Sequence, residues 1–109
     1  MGYKKVDDLA AFDAELSAAG DKPVFVDFMA DWCGNCEKIM DNLDALAAQY
    51  SDKAVFLQVD VDANEETAEK FEVTALPRVL CFKNGNKVGE MFGNKDEKYT
   101  EFFGQMMQW

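Results

Sequence analysis

Val24-Phe25-Val26-Asp27-Phe28-Met29-Ala30-Asp31-Trp32-Cys33-Gly34-Asn35-Cys36 is the stretch that decides the fold. From Pro23 to Met29 it is β-rich and apolar on both faces, with Asp27 the sole interruption. A strand apolar on both faces is usually a central parallel strand covered by helices. Beyond the loop, Ile39, Leu43, Leu46 and Tyr50 recur at spacings of four, three and four, so a helix is expected over residues 33–50. The two cysteines thus fall where a strand hands over to a helix.

Working outward, Tyr3-Lys4-Lys5-Val6 reads as a short edge strand. Asp7 is placed to cap a helix carrying Leu9, Phe12 and Leu16 inward and closed by Gly20. Residues 54–61 alternate as a strand, and residues 64–71 form a short helix with Ala68 and Phe71 inward. Residues 78–83 and 87–92 flank Asn84-Gly85, a strong signal for an antiparallel hairpin. Asn94 with Glu97 is a plausible capping pair for a last helix whose inward stripe is Tyr99, Phe102, Phe103 and Met106. The order β-α-β-α-β-α-β-β-α predicts an α/β fold with a mixed sheet and helices on both faces.

With 109 residues, 49% of them hydrophobic, the chain fits a single domain over residues 1–109 with a real core. Acids outnumber bases 21 to 11, for a net charge of −10, and the bases form no run; neither nucleic acid nor an anionic membrane surface is an expected partner. The absence of His removes Ser–His and Cys–His catalysis and the commonest metal ligand. Three cysteines are too few for a secreted disulfide framework or a four-ligand zinc site, so no metal is expected. The N-terminus turns polar at once at Asp7 and Asp8, with no signal-peptide pattern and no membrane-length apolar run. A cytoplasmic protein is the expectation.

Two cysteines three apart at a helix start can close a disulfide. A helix N-terminus presents N–H groups and a partial positive charge that favour a thiolate. Cys33, at that end and beside the loop, is the expected nucleophile; Cys36, one turn in, is the expected resolving thiol. Asp27 has two readings: a desolvated acid with a raised pKa, poised to take a proton, or a strand-end carboxylate facing water. Cys81, mid-strand between Leu80 and Phe82, reads as inert core packing rather than a regulatory thiol.

The segment from Val24 to Cys36 resembles the active-site segment of the thioredoxin family. Phe56-Leu57-Gln58-Val59-Asp60-Val61-Asp62, Ala75-Leu76-Pro77 and Phe82-Lys83-Asn84-Gly85 resemble that family too, and the likeness runs over about residues 3–106. It is most similar to the eukaryotic cytosolic type, which carries a segment like Ala19-Gly20-Asp21-Lys22. The resemblance implies a thioredoxin fold, a five-stranded mixed sheet flanked by four helices. It implies reduction of protein disulfides by a monomer with no bound cofactor beyond a redox-active Cys33–Cys36 disulfide. Electrons would come from NADPH through thioredoxin reductase. It gives Asp27 the role of proton acceptor for Cys36 and makes Pro77 a cis-proline beside the disulfide. The backbone of Ala75 and Leu76 would pair with an extended client strand. Trp32, Gly34 and Asn35 would belong to the docking surface, with Gly93 in a second docking loop; a simple turn glycine is the competing reading of Gly93.

Five positions depart from the family pattern; one is Asp41, where a helix-kinking proline is common, so a straighter second helix is expected. Asn35 stands where proline is usual. It restores an N–H near the Cys33 sulfur and is expected to make the pair more oxidising, against an opposite effect of the acidic Glu37. Gln58 replaces a charged residue near Asp27. Arg78 follows Pro77 where Thr is usual, and puts a cation beside the docking groove that would favour acidic clients. Asn35 keeps a disulfide isomerase or oxidase in view, and a non-catalytic binding module is the remaining alternative.

Overall fold

The computed structural model describes residues 2–108. Its elements in chain order are β1 (Lys4–Lys5), α1 (Leu9–Ala18), β2 (Val24–Met29), α2 (Gly34–Gln49), β3 (Val55–Asp60), α3 (Glu65–Lys70), β4 (Arg78–Lys83), β5 (Asn86–Phe92) and α4 (Asp96–Met106). The five strands form one sheet in the order β1-β3-β2-β4-β5. β3 lies parallel to both β1 and β2, whereas β4 is antiparallel to β2 and to β5. The mixed sheet with four helices is the architecture expected from the sequence.

β2 is central, which explains its apolar run: both faces are covered. Phe25, Val79 and Cys81 face a cluster built with Ile39, Leu43, Tyr99 and Phe103 of α2 and α4. Val24, Val26, Phe28, Leu80 and Phe82 face a second cluster with Phe12 of α1 and Ala68 of α3. Phe25 stacks on Phe103 with ring centroids 4.0 Å apart and on Phe56 at 5.8 Å. Each such fully buried ring contributes about 1.5–3 kcal/mol of transfer free energy. These two layers clamp β2, and with it the loop that β2 delivers to α2.

Two expected caps are corrected. The first helix is capped by Asp8, whose carboxylate accepts from the Ala11 N–H at 2.7 Å, not by Asp7. The last helix begins at Asp96, and its cap residue Lys95 makes no side-chain cap bond. Asn94 does not pair with Glu97; its amide is instead spent on Asn35. A local capping pattern lost here to a contact 59 residues distant. The hairpin turns as Asn-Gly predicts: Asn84 and Gly85 both adopt positive φ, 53° and 81°. Among the described residues, no helix is long and apolar enough to cross a membrane.

Candidate active site

α2 opens with Cys33 as its N-cap, in extended backbone conformation. The Cys33 Sγ takes the place a capping oxygen would fill and accepts the backbone N–H of Cys36 at 3.1 Å. The donor on this sulfur is thus the N–H of Cys36, where the sequence pointed to that of Asn35. Cys33 and Cys36 are joined as a disulfide, with Cα atoms 5.3 Å apart. They are 8% and 6% exposed, and pack with Ala30, Met29, Val61 and Leu76. A shallow cleft of about 210 Å³ runs beside them, lined by Met29, Ala30, Asp31, Glu37 and Met40. The sulfurs are therefore shielded by apolar neighbours yet open to a partner on one side.

Asp27 settles between its two readings. It is buried on the same face of β2 as Met29, two residues on, which packs on the cystine. Two residues of strand is about 6–7 Å. Gln58 of β3 lies beside Asp27 in register and donates its side-chain N–H to Asp27 Oδ2 at 3.3 Å. Burial pushes the Asp27 carboxyl up to about 6; the Gln58 bond opposes that rise, and the charge of Asp44 adds to it. An acid titrating there is mostly ionised at neutral pH, so it can accept a proton.

The other expected site residues come from separate elements, and of those beyond residues 32–36 it is Leu76 that packs on the disulfide. The Leu76–Pro77 bond is cis, Pro77 is buried, and Leu76 packs against the cystine. Ala75 is exposed just before it. Trp32, next to Cys33 in the chain, is 70% exposed, and its indole N–H donates to Asp62 Oδ2 at 2.8 Å, which tethers the ring. Gly34 and Asn35 are exposed in the first turn of α2. Gly93 has φ 109°, a value that favours glycine, and its carbonyl accepts the Tyr99 hydroxyl at 2.7 Å. Asn94, the next residue, donates to Asn35 Oδ1 at 3.2 Å and so ties the second loop to the first turn of α2.

Sequence reasoning missed Asp62 and Asn94. Their role is a tertiary contact, and no local pattern marks it. Arg78 is also not the free cation that the sequence suggested. Its side chain is 19% exposed, and its guanidinium pairs with Glu90 at 3.2 Å and lies 5.6 Å from the centroid of the Phe92 ring. Among the described residues no group of three or more Cys, Asp or Glu is placed to hold a metal ion.

A cystine at the mouth of a helix, shielded on one side and backed by a buried acid, defines a dithiol–disulfide oxidoreductase. The thioredoxin family model matches residues 4–104. The thioredoxin of Homo sapiens is 44% identical over 104 residues, which cover 95% of this chain and 98% of that protein. That of Callithrix jacchus is 46% identical over 95 residues, covering 87% and 90%. The solved thioredoxin of Fasciola hepatica is similar with a TM-score of 0.89 at 32% identity, covering 94% of this chain and 97% of that one. A reduced thioredoxin of Schistosoma mansoni gives 0.88 at 33% identity, covering 96% and 98%. The chain belongs to the thioredoxin family. Its activity is that of a thioredoxin-type disulfide reductase.

Proposed function

We propose that the reduced protein acts as a monomeric, single-domain general reductase of client disulfides in the cytoplasm, of the eukaryotic cytosolic type with a Cys-Gly-Asn-Cys centre, and is itself re-reduced by thioredoxin reductase at the expense of NADPH. The observation that carries this reading is the Cys33 sulfur capping α2 and holding the Cys36 N–H. A sulfur in that position is favoured as a thiolate by the helix end and by a bond that strengthens with negative charge. Cys33 thiolate attacks one client sulfur, forming a Cys33–client disulfide and expelling the other client sulfur as a thiolate, which takes a proton from water. Cys36 then gives its proton to Asp27, directly or through water, and attacks the Cys33 sulfur. The second client thiolate leaves, and the Cys33–Cys36 disulfide remains. Two electrons have passed to the client, and no bound cofactor takes part.

The client strand docks in extended form on the backbone of Ala75 and Leu76 beside Pro77, between Trp32 and the Gly93 loop, and over the exposed turn of Gly34 and Asn35. The packing of Leu76 on the cystine and the exposure of Trp32 support this arrangement.

The test is the reduction potential of the Cys33–Cys36 pair, by equilibrium titration in dithiol–disulfide buffers with thiol trapping and mass readout. A general reductase requires a value well below the cytosolic glutathione poise. A value at or above it would transfer the assignment to an isomerase or oxidase. Asn35 is the residue that biases the pair that way, because it leaves the reduced loop freer than proline would. Asn35→Pro is expected to lower the potential by about 30 mV, equivalent to about 1.4 kcal/mol. An unchanged potential would remove Asn35 from the account.

A further inference from the structure

Trp32 and Phe92 are the two large apolar side chains that stand exposed among the described residues. Trp32 is accounted for by its place next to Cys33. Phe92, 63% exposed, has no role in the exchange chemistry.

Its position is specific. Phe92 is the last residue of β5 and lies opposite Arg78, the first residue of β4. Arg78 directly follows Pro77, and Phe92 directly precedes Gly93. This one register pair therefore joins the two loops on which a client strand is read to dock. β5 is the edge of the sheet, with no strand beyond it. The Arg78 guanidinium lies 5.6 Å from the Phe92 centroid and pairs with Glu90, which also binds Lys87. The cation is thus paired with a carboxylate and set against the ring, not free in the groove. What remains for a partner is the open surface of a propped aromatic side chain. Rigid aromatics of this kind, at low entropic cost, are the usual anchors of interfaces.

We propose that Phe92, positioned by Arg78, is a client-recognition residue that receives a bulky apolar or aromatic side chain close to the client's half-cystine. The inference rests on the reading that clients dock between Pro77 and Gly93, and it adds a sequence preference to that reading. The clients chosen are those with an aromatic residue near the disulfide, rather than the acidic ones a free Arg78 would attract.

The experiment compares disulfide peptides identical except for Phe, Ser or Asp at each of the positions flanking one half-cystine. Their rate constants for oxidising the fully reduced protein are read by rapid acid quench and thiol trapping. At the best flanking position the Phe peptide is expected to react about fivefold faster than the Ser peptide, a ratio equivalent to about 1 kcal/mol. Phe92→Ser should bring that ratio close to one, and Phe92→Leu should keep most of it. Equal rates in the wild-type protein, a preference that survives in Phe92→Ser, or an Asp peptide that reacts fastest would each overturn the proposal. So would a wild-type dimer in sedimentation that Phe92→Ser dissolves, because the ring would then be covered by a second copy of the chain. Reduction of 2-hydroxyethyl disulfide by the wild-type protein separates the two levels. If it proceeds while the peptides show no preference, the recognition inference alone fails. If it does not proceed, the reductase reading fails as well.

Discussion

Cys33 and Cys36 at the start of α2, and Cys81 in the middle of β4, are all buried, yet they sit in opposite chemical settings. Cys33 has a backbone N–H on its sulfur, the open end of a helix behind it and a cleft beside it. Cys81 lies between sheet and helices among Phe25, Tyr99 and Phe103, with the Phe82 carbonyl 4.0 Å from its sulfur. Burial pushes the Cys81 thiol up to about 12, so it stays protonated at any physiological pH. The lesson is that burial alone does not make a cysteine inert or reactive. What matters is whether the burying surface supplies donors and a field for the charged form.

The sharpest break in this comparison is Cys33→Ser. Reduction of a disulfide peptide should fall to the uncatalysed background, because a serine hydroxyl is not ionised near pH 7 and cannot form the mixed disulfide. Activity surviving this change would mean that the nucleophile lies elsewhere, Cys81 included.

Asp27 gives the next largest effect. Its carboxyl titrates at about 6 in the folded chain against an ordinary value of 3.8. Between about pH 4 and pH 6 the folded chain therefore holds a proton that the unfolded chain has lost. Stability falls as pH rises through that window and is level above it. Asp27→Asn should remove this fall. It is expected to stabilise the protein by about 2–3 kcal/mol at pH 7.5 and by little at pH 4, read by denaturant unfolding. The same variant should slow client reduction and flatten its dependence on pH near 6. An unchanged rate profile would leave Asp27 without a part in proton transfer.

Cys81→Ser is the smallest effect and tests the other half of the contrast. The Phe82 carbonyl is too distant to satisfy the new hydroxyl, so the substitution should cost about 1–3 kcal/mol of stability. The exchange rate at a temperature where the variant remains folded should not change. A slower exchange would show that Cys81 communicates with the cystine.

Much of the site was legible because its signals are local. Trp32-Cys33-Gly34-Asn35-Cys36 sits between an apolar strand and a helix with a clear inward stripe, and both elements are where those patterns put them. The hairpin at Asn84-Gly85 was equally plain, since few residues accept positive φ in succession. The surroundings were less legible. Asp27 had two readings until β3 placed Gln58 beside it and the sheet was covered. Asn94 read as a cap and proved to be a tether to Asn35. Arg78 read as a free charge and proved to be matched by Glu90.

The sequence by itself determined the element order, the two-sided burial of β2 and the seating of a cysteine pair at a helix mouth. Each follows from residue type, periodicity and spacing within a window of some twenty positions. Only the tertiary structure decided which carboxylate is dry, which cation is paired, which amide ties two loops together and which aromatic side chain is left facing solvent. Those properties depend on partners 31, 12 and 59 residues away for Asp27, Arg78 and Asn94, and on an open sheet edge for Phe92. Desolvation and pairing are set by neighbours in space: the partners of Asp27 and Asn94 lie beyond any such window, and Glu90 reaches Arg78 only because the β4–β5 hairpin folds it back.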